Sequence, residues 1–177
     1  MRHLLLAMLA PGSAEAEIGR VQQHIFADHG LVSAVALPPL VPVAFLAELE
    51  RVSRRGLLLE LNASVVSPYR IALTGLCWRE GWLYFAFHSG GVWESLRAAA
   101  PPATQGLFPA FEGFFLGCGE SKPEHREMIR PPLPAIGFTS SSLALIEITT
   151  ARLDGAWWRE VSTETLEEIP LRGRRRT

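Results

Sequence analysis

The chain has 177 residues, of which 48% are hydrophobic and 20% charged, and its formal net charge is −1. Such values are typical of ordinary globular domains, and a chain of this length buries roughly 70% of its unfolded surface, so it forms a core without cross-links. With so small a net charge, the protein as a whole does not attract nucleic acid or membrane surfaces electrostatically. No run approaches the roughly 20 apolar residues that a transmembrane helix needs.

The two cysteines, Cys77 and Cys118, lie in apolar runs typical of strands. This pattern favours two buried free thiols in a reducing compartment over a structural disulfide, so we predict a cytoplasmic protein. The N-terminus combines Arg2 with an apolar stretch of only about seven residues, which is short for a signal peptide. We therefore predict that it is a buried first strand.

The first half of the chain alternates strand-like and helix-like patterns. In chain order it predicts a strand at 4–9, a helix at 13–29, strands at 31–37 and 41–46, and a helix at 48–63. Ser13 suits the N-cap of the first helix, and Gly30 suits the position just after its C-terminus. The strands at 31–37 and 41–46 flank Pro38-Pro39 and form either a hairpin or two neighbouring strands.

The second half continues this alternation. It predicts strands at 69–78 and 82–88, a helix at 92–100, a strand at 111–118, a strand within 137–150, and strands at 157–161 and 169–171. The segment Arg79-Glu80-Gly81 between two β-rich runs is a hairpin signal. Residues 119–134 mix polar residues with proline and predict a surface segment. If 157–161 is a strand, Trp157 and Trp158 point to opposite faces.

The sequence also contains an apparent duplication. Two similar Pro-containing approaches to an apolar strand occupy residues 37–46 and 108–117, about 73 residues apart. Most strand pairs are joined by hairpins and runs of strands alternate with single helices, which indicates an α+β fold with antiparallel sheets. We predict two pseudo-symmetric lobes of antiparallel sheet with helices packed outside.

We assign residues 1–171 to one two-lobed domain and residues 172–177 to a basic, disordered tail. The tail holds four of the 17 basic residues, so the body of the chain is acidic. A solvated chain end is the simpler interpretation of the tail, and contact with RNA or another acidic partner is the alternative.

The order of these landmarks resembles the 2H phosphoesterase superfamily, which is also called the LigT or 2′-5′ RNA ligase-like fold. The shared landmarks are the opening strand and helix, the Leu37-Pro38-Pro39 approach, the segment 68–76 before the central hairpin, the hairpin itself, and the closing Ile169-Pro170-Leu171. The resemblance covers nearly the whole chain. It implies two lobes related by a pseudo-twofold axis, with a groove between their sheets.

In that family each lobe supplies a His-x-Thr/Ser motif. The resemblance implies that the two histidines act as general base and general acid on a phosphodiester, commonly a 2′,3′-cyclic or 2′-5′-linked nucleotide, while the hydroxyls bind phosphate oxygens. In this chain the degenerate motif positions are Leu40 and Pro42 in the first lobe, and Gly113 and Phe115 in the second. None of these side chains transfers a proton or donates to phosphate. Because a positioned acid or base contributes about 10²–10⁴-fold in rate, we predict loss of the usual reaction.

Three residues are candidates for relocated acid–base chemistry. His88 ends the central hairpin, His3 opens the first strand, and Glu112 adjoins the lost second histidine. A surface or structural role is the alternative for each. Arg70 and Tyr69 are candidate anion contacts in the groove. No cluster has metal-ligand spacing, and we predict neither a metal nor a cofactor.

The leading hypothesis is a LigT-like protein that has lost the standard phosphodiesterase activity and binds a nucleotide-like or other small ligand in a remodelled apolar groove. Two alternatives stay open. One is an active RNA or cyclic-nucleotide phosphodiesterase with relocated acid–base residues. The other is a non-enzymatic interaction module, for which an exposed apolar patch over Leu40 and Phe114 is expected. We expect a monomer with nucleotide or RNA as partner and no membrane contact.

Overall fold

The computed structural model of the chain describes residues 1–46, 51–64, 70–100, 107–118, 129, 137–139, 142–151 and 156–170. The predicted surface segment at 119–134, apart from residue 129, and the predicted tail at 172–177 lie outside these ranges. The described elements are β1 (Arg2–Leu9), α1 (Gly12–His29), a 3₁₀ helix (Val32–Val35), β2 (Leu40–Leu46), α2 (Arg51–Ser64), β3 (Arg70–Arg79), β4 (Trp82–His88), α3 (Val92–Ala99), β5 (Gly113–Cys118), β6 (Gly137–Thr139), β7 (Ser142–Thr150), a second 3₁₀ helix (Trp157–Glu160) and β8 (Val161–Pro170).

The strands form two four-stranded sheets, in the orders β2-β1-β7-β8 and β5-β4-β3-β6. All paired strands in both sheets are antiparallel. The strands that hold the predicted motif positions therefore lie at sheet edges, β2 in the first sheet and β5 in the second. The predicted α+β class with two similar lobes of antiparallel sheet is confirmed.

The internal symmetry extends to the irregularities of the two motif strands. The ladder between β1 and β2 skips Val43, and the ladder between β4 and β5 skips Leu116. Each is a β-bulge in the residue that directly follows the motif, and the two lie 73 residues apart. A bulge twists a strand and leaves one residue out of the ladder, so both motif strands are deformed at the same point.

Side-chain alternation along the strands divides the core into two layers. One face of each sheet packs against the α-helices, as Leu6 of β1 and Ile18 of α1 show. The other faces meet in a cluster that contains no residue of α1, α2 or α3 among the described positions, which we name the inner cluster. Its buried members are Leu5, Ala7, Leu37, Leu40, Phe45, Tyr84, Phe108, Phe111, Phe115, Cys118, Ala144, Ile146, Ile148 and Trp157.

The prediction of a strand at 31–37 is wrong. This segment contains the 3₁₀ helix Val32–Val35, whose turns close through hydrogen bonds from Ala34 N to Leu31 O and from Ala36 N to Ser33 O. Consequently β2 pairs with β1 and not with this segment. The reason is tertiary, because the helix covers the edge of β5, where Cys118 N donates to Ser33 Oγ at 2.8 Å.

Two predictions near the C-terminus are also wrong. Residues 157–160 form a 3₁₀ helix rather than a strand, so Trp157 and Trp158 do not alternate across a sheet; their rings meet edge to face at 6.1 Å. The last strand is the ten-residue β8 instead of a short piece at 169–171. The segment 137–150 supplies two strands, β6 and β7, which belong to different sheets.

The helices and turns follow the sequence more closely. Helix α1 begins at Gly12 after Pro11 rather than after Ser13, and it ends at Gly30, which has a left-handed φ of 65° and donates to Phe26 O. Proline suits a helix start because its φ is already helical and it has no N–H to satisfy. Helix α2 spans Arg51–Ser64 against the predicted 48–63, and residues 47–50 lie outside the described part.

Candidate active site

The four degenerate motif positions lie on β2 and β5, the strands through which the two sheets adjoin. Leu40 and Phe115 are completely buried in the inner cluster. Pro42 and Gly113 are also buried. Solvent therefore reaches none of the positions at which the resemblance to 2H enzymes places catalytic imidazoles and phosphate-binding hydroxyls.

The space between the inner faces is filled by Phe108, which precedes β5. Its ring lies 5.0 Å from Phe45, 5.2 Å from Phe115, 5.7 Å from Trp82 and 5.6 Å from Trp157, measured between centroids. These partners come from both sheets and from the second 3₁₀ helix. Aromatic rings at such distances interact favourably beyond their burial. Phe108 thus joins the two lobes at the place where an open groove was expected.

A second aromatic pair closes the inner face of β4. Phe111 stacks on Tyr84 with centroids 4.4 Å apart and planes inclined by 27°. Burial, and secondarily a hydrogen bond with the Cys77 thiol, raises the pKa of Tyr84 to about 12. Its phenol stays neutral at physiological pH, so it supplies no negative charge and no general base near neutrality.

Gly113, the predicted position of the second motif histidine, has no room for a side chain. A Cβ built on Gly113 lies 2.7 Å from the carbonyl oxygen of Phe85 and 2.8 Å from Cδ2 of Tyr84. Real Cβ atoms essentially never approach other atoms so closely, and one of the two contacts is with backbone. The glycine is therefore part of the packing of β5 against β4.

The carbonyls of the third motif positions accept hydrogen bonds from the opposite lobe. Trp93 Nε1 on α3 donates to Pro42 O at 3.0 Å, and Gln22 Nε2 on α1 donates to Phe115 O at 3.2 Å. Gln22 Nε2 also donates to Leu37 O at 3.1 Å. Both donors are buried, so these bonds satisfy edge-strand carbonyls that water does not reach. Proline is tolerated at position 42 because it lies in an edge strand beside a bulge.

Glu112, which directly precedes β5, hydrogen-bonds to the turn that leads into α3. Its Oε1 accepts a hydrogen bond of 2.6 Å from Ser89 N and another from the Ser89 hydroxyl. The Ser89 Oγ in turn accepts from Trp93 N at 3.1 Å. The Glu112 carboxylate therefore fixes the start of α3, the helix that carries Trp93. Its role in the structure is to stabilise this turn.

The two candidate histidines lie in different sheets. His88 is exposed at the end of β4, two residues beyond Ala86, which pairs with Gly113. His3 is on β1, six residues from Leu9, the partner of Leu40, which is about 20 Å along a strand. Only His88 is therefore near a motif position, whereas in-line phosphodiester chemistry needs an acid and a base.

The surroundings of His3 are apolar. Its ring lies edge to face with Phe45 at 6.3 Å, and among the described atoms Nε2 is buried without a hydrogen-bond partner. Burial, and secondarily the positive charge of the N-terminal amino group, lowers the pKa of His3. Its neutral form is therefore favoured.

The remaining candidates contribute less to a site. Arg70 opens β3 and pairs with Thr139 of β6, whereas Tyr69 lies outside the described residues.

Within the described part of the chain, no three His, Cys, Asp or Glu residues gather as a metal site requires. Both cysteines are free, and burial raises the pKa of the Cys118 thiol to about 12, which makes it a poor nucleophile.

An opening remains beside the first motif strand. A pocket of about 500 Å³ is bordered by Pro38 and Pro39, together with Glu15, Thr165 and Glu168. The described residues around it include two carboxylates and no lysine or arginine. The described charged side chains that border this pocket are therefore all negative, and none of them can pair with the charge of a phosphodiester.

The sequence pattern predicts the motif strands. It does not predict which residues fill the space between them or which residues hydrogen-bond to them. Phe108, Gln22 and Trp93 are not among the predicted site residues. The density of aromatics between 108 and 115 was the available signal for the filling. Helical spacing from Ile18 places Gln22 on the buried face of α1, but no local pattern identifies its partner Phe115, which is 93 residues away.

The solved structures that resemble this chain match it over almost its whole length. The TT0787 protein of Thermus thermophilus has a TM-score of 0.64 at 18% identity, covering 98% of this chain and 100% of its own. E. coli LigT has a TM-score of 0.61 at 16% identity in its apo form and 0.59 at 20% identity with ATP, each covering 97% of this chain and 98% of LigT.

No protein-family model and no curated protein matches the sequence. The likeness to solved structures establishes the fold, and the chain has the LigT-like fold that the sequence predicted. Its motif strands, however, carry no imidazole.

Proposed function

We propose that this protein is a LigT-fold protein without 2H phosphodiesterase activity that acts by binding. The observation that carries the proposal is the filled interior. Leu40 and Phe115 are completely buried, and Phe108 occupies the space between them and the aromatic rings of both lobes. At this place the protein offers a phosphodiester no proton-transfer group and no space in which to bind.

Two further features support the absence of catalysis. The cross-lobe hydrogen bonds of Trp93 and Gln22 tie the motif strands to the opposite helices, which opposes separation of the lobes. The opening beside Leu40 is bordered by Glu15 and Glu168, which repel a phosphate. Loss of both acid and base removes a factor of about 10²–10⁴ in rate for each group.

The binding part of the proposal concerns a nucleotide-like or other small ligand. E. coli LigT has been solved with phosphate, ATP, 3′-AMP and NADP+. In this chain the inner cluster excludes a ligand from the space between the motif strands. We therefore expect such a ligand to bind elsewhere on the surface of the fold.

A turnover assay tests the proposal. The protein is incubated at high concentration with 2′,3′-cyclic nucleotides and 2′-5′-linked oligonucleotides, and products are separated by chromatography. We expect no product above the buffer blank, while a 2H enzyme with both motifs intact serves as the positive control. Robust turnover by the purified protein would contradict the proposal.

The same assay tests the alternative that the protein is an active phosphodiesterase with relocated acid–base residues. His88 is the described imidazole that lies close to a motif position, on the exposed end of β4. If turnover were found and disappeared in His88→Asn, the relocated site would be supported. Turnover that persists in this variant would exclude His88 as its source and would still contradict the proposal.

The interaction-module alternative predicted an exposed apolar patch over Leu40 and Phe114, and the structure does not have it there. Leu40 and Phe114 are both fully buried, so neither belongs to an exposed apolar patch. The exposed apolar side chains near the end of α1 and the first 3₁₀ helix are Phe26, Val32 and Val35. A protein partner on this lobe would meet these residues.

We also propose a cytoplasmic monomer that folds as one unit over residues 1–171, with RNA as the other candidate partner. Both cysteines are free thiols, which suits a reducing compartment. None of the helices in the described ranges has the length and hydropathy needed to cross a bilayer. Light scattering after size-exclusion chromatography tests the monomer, and a filter-binding assay with single-stranded RNA tests the partner.

A further inference from the structure

A second pocket opens in the second lobe, beside the turn of the hairpin between β3 and β4. It has a volume of about 190 Å³. Two arginines, Arg79 and Arg97, line it together with the aromatic side chains of Trp82, Tyr84 and Phe111. We propose that this pocket binds a small oxyanion carried on a planar ring, of the phosphate monoester class.

The hairpin turn positions the first arginine. Glu80 and Gly81 both have positive φ, 52° and 87°, which is the geometry of a two-residue turn matched to the twist of the strands. Arg79 and Trp82 are consequently a cross-strand pair, and their side chains lie on the same face of the sheet. The side chains of Arg79 and Tyr84 border the same pocket.

The second arginine is held by a different element. Arg97 lies in the last turn of α3, and its guanidinium carbon is 5.2 Å from the ring centroid of Trp93. Such a cation–π contact restricts a long side chain that is otherwise free at the surface. Two guanidinium groups from separate elements therefore border one small pocket before any ligand arrives.

The lining determines the ligand class. Guanidinium groups bind phosphate through paired, charge-assisted hydrogen bonds. The half-buried Trp82 offers a surface for a ring, while Tyr84 and Phe111 stack on each other beside it. The volume is below the roughly 300–1,000 Å³ of pockets that bury drug-sized ligands. One ring and one anionic group therefore suit it better than a dinucleotide or an oligonucleotide.

The carboxylate of Glu80 also borders the pocket, so its charges sum to one net positive. This balance favours a ligand with one or two negative charges over a polyphosphate. The inference rests on the proposed binding function but not on the loss of catalysis. A turnover assay and a binding assay can therefore fail separately.

Isothermal titration calorimetry with three probes tests the site. Phenyl phosphate combines ring and anion, inorganic phosphate carries the anion alone, and phenol carries the ring alone. We expect phenyl phosphate to bind at least tenfold more tightly than either of the others. Equal affinity for phenyl phosphate and inorganic phosphate, or no binding of phenyl phosphate, would overturn the proposal.

Variants locate the binding. Arg79→Gln and Arg97→Gln should each weaken phenyl phosphate binding roughly tenfold, since each removes a hydrogen bond to a charged group. Arg20→Gln is the matched control, because Arg20 pairs with Glu17 on α1, and it should bind as the parent does. Undiminished binding by the Arg79→Gln/Arg97→Gln double variant would disprove the assignment.

Arg97→Gln also removes the contact with Trp93, so its fold is checked by thermal unfolding. Arg79→Lys provides a second readout, since it keeps the charge but loses the planar fork. We expect its affinity to lie between those of the parent and of Arg79→Gln. An affinity equal to the parent's would show that the proposed bidentate contact is absent.

Discussion

The indole N–H of Trp93 donates to the carbonyl of Pro42 across the boundary between the two lobes, at 3.0 Å. Gln22 makes the reciprocal bond to Phe115 at 3.2 Å. Pro42 and Phe115 are 73 residues apart and each directly precedes the bulge of its strand. The two hydrogen bonds are thus related by the internal twofold symmetry. They fix the two motif strands, which carry no catalytic side chains.

Removal of either donor should destabilise the protein. Trp93→Phe leaves the buried Pro42 carbonyl without its partner, and Gln22→Met does the same to Phe115 and Leu37. We expect each substitution to lower the free energy of unfolding by about 1–3 kcal/mol, the usual penalty for an unsatisfied buried polar group. Urea denaturation followed by circular dichroism measures it.

Two substitutions control for side-chain shape. Gln23→Met changes the exposed neighbour of Gln22, and Trp158→Phe changes a half-buried indole. Both should shift the urea midpoint far less than the corresponding buried changes. If Trp93→Phe and Trp158→Phe cost the same, the bond to Pro42 contributes nothing specific.

Phe108 should be one of the most costly residues to truncate. It is only 5% exposed and contacts rings from both sheets. Phe108→Ala should lower the free energy of unfolding by about 3–5 kcal/mol, as for other large-to-small core changes. Phe26→Ala is the control, because Phe26 is 41% exposed. A small effect of Phe108→Ala, similar to that of the control, would mean that the space between the sheets is not packed.

Two glycines should respond to alanine with opposite signs. At Gly113 the new Cβ meets the Phe85 carbonyl at 2.7 Å, whereas at Gly56 nothing lies within 4 Å. Gly113→Ala should destabilise by about 1–3 kcal/mol through overpacking. Gly56→Ala, in the middle of α2, should stabilise by about 0.5–1 kcal/mol.

Thermal unfolding of the two alanine variants distinguishes these cases directly. The same clash predicts that the double variant Leu40→His/Gly113→His does not regain phosphodiesterase activity. Recovered activity, or a Gly113→Ala variant as stable as the parent, would contradict the tight packing of β5 against β4.

His3 should make folding less favourable in mild acid. Burial first, and then the N-terminal charge, lowers its pKa below the ordinary 6.5, so below that pH the unfolded chain binds the proton before the folded protein does. The associated stability is complete above about pH 6.5 and is lost as the pH falls towards the folded pKa.

The measurement compares the pH dependence of urea unfolding for the parent and His3→Gln, from mildly alkaline to mildly acidic buffer. The parent should lose more stability over this interval than the variant. An NMR titration of the His3 imidazole provides the independent value, and a midpoint at or above the ordinary 6.5 would refute the explanation.

Local chemistry explains why much of the fold was predictable. The helix ending at Gly30 and the hairpin at Glu80-Gly81 depend on the backbone preferences of a few adjacent residues, and the structure has both. The strand predicted at 31–37 failed because Ser33 bonds to Cys118, which is 85 residues away. No local pattern contains that contact.

The sequence by itself determined the two-lobed α+β arrangement and the lack of imidazole in residues 40–46 and 113–118, because periodicity and residue identity are local properties. Only the tertiary structure decided that the groove is filled, that Glu112 serves the turn at Ser89, and that Arg79 and Arg97 border one pocket. These facts depend on which distant side chains share a space, and that is settled by the packing of the whole chain.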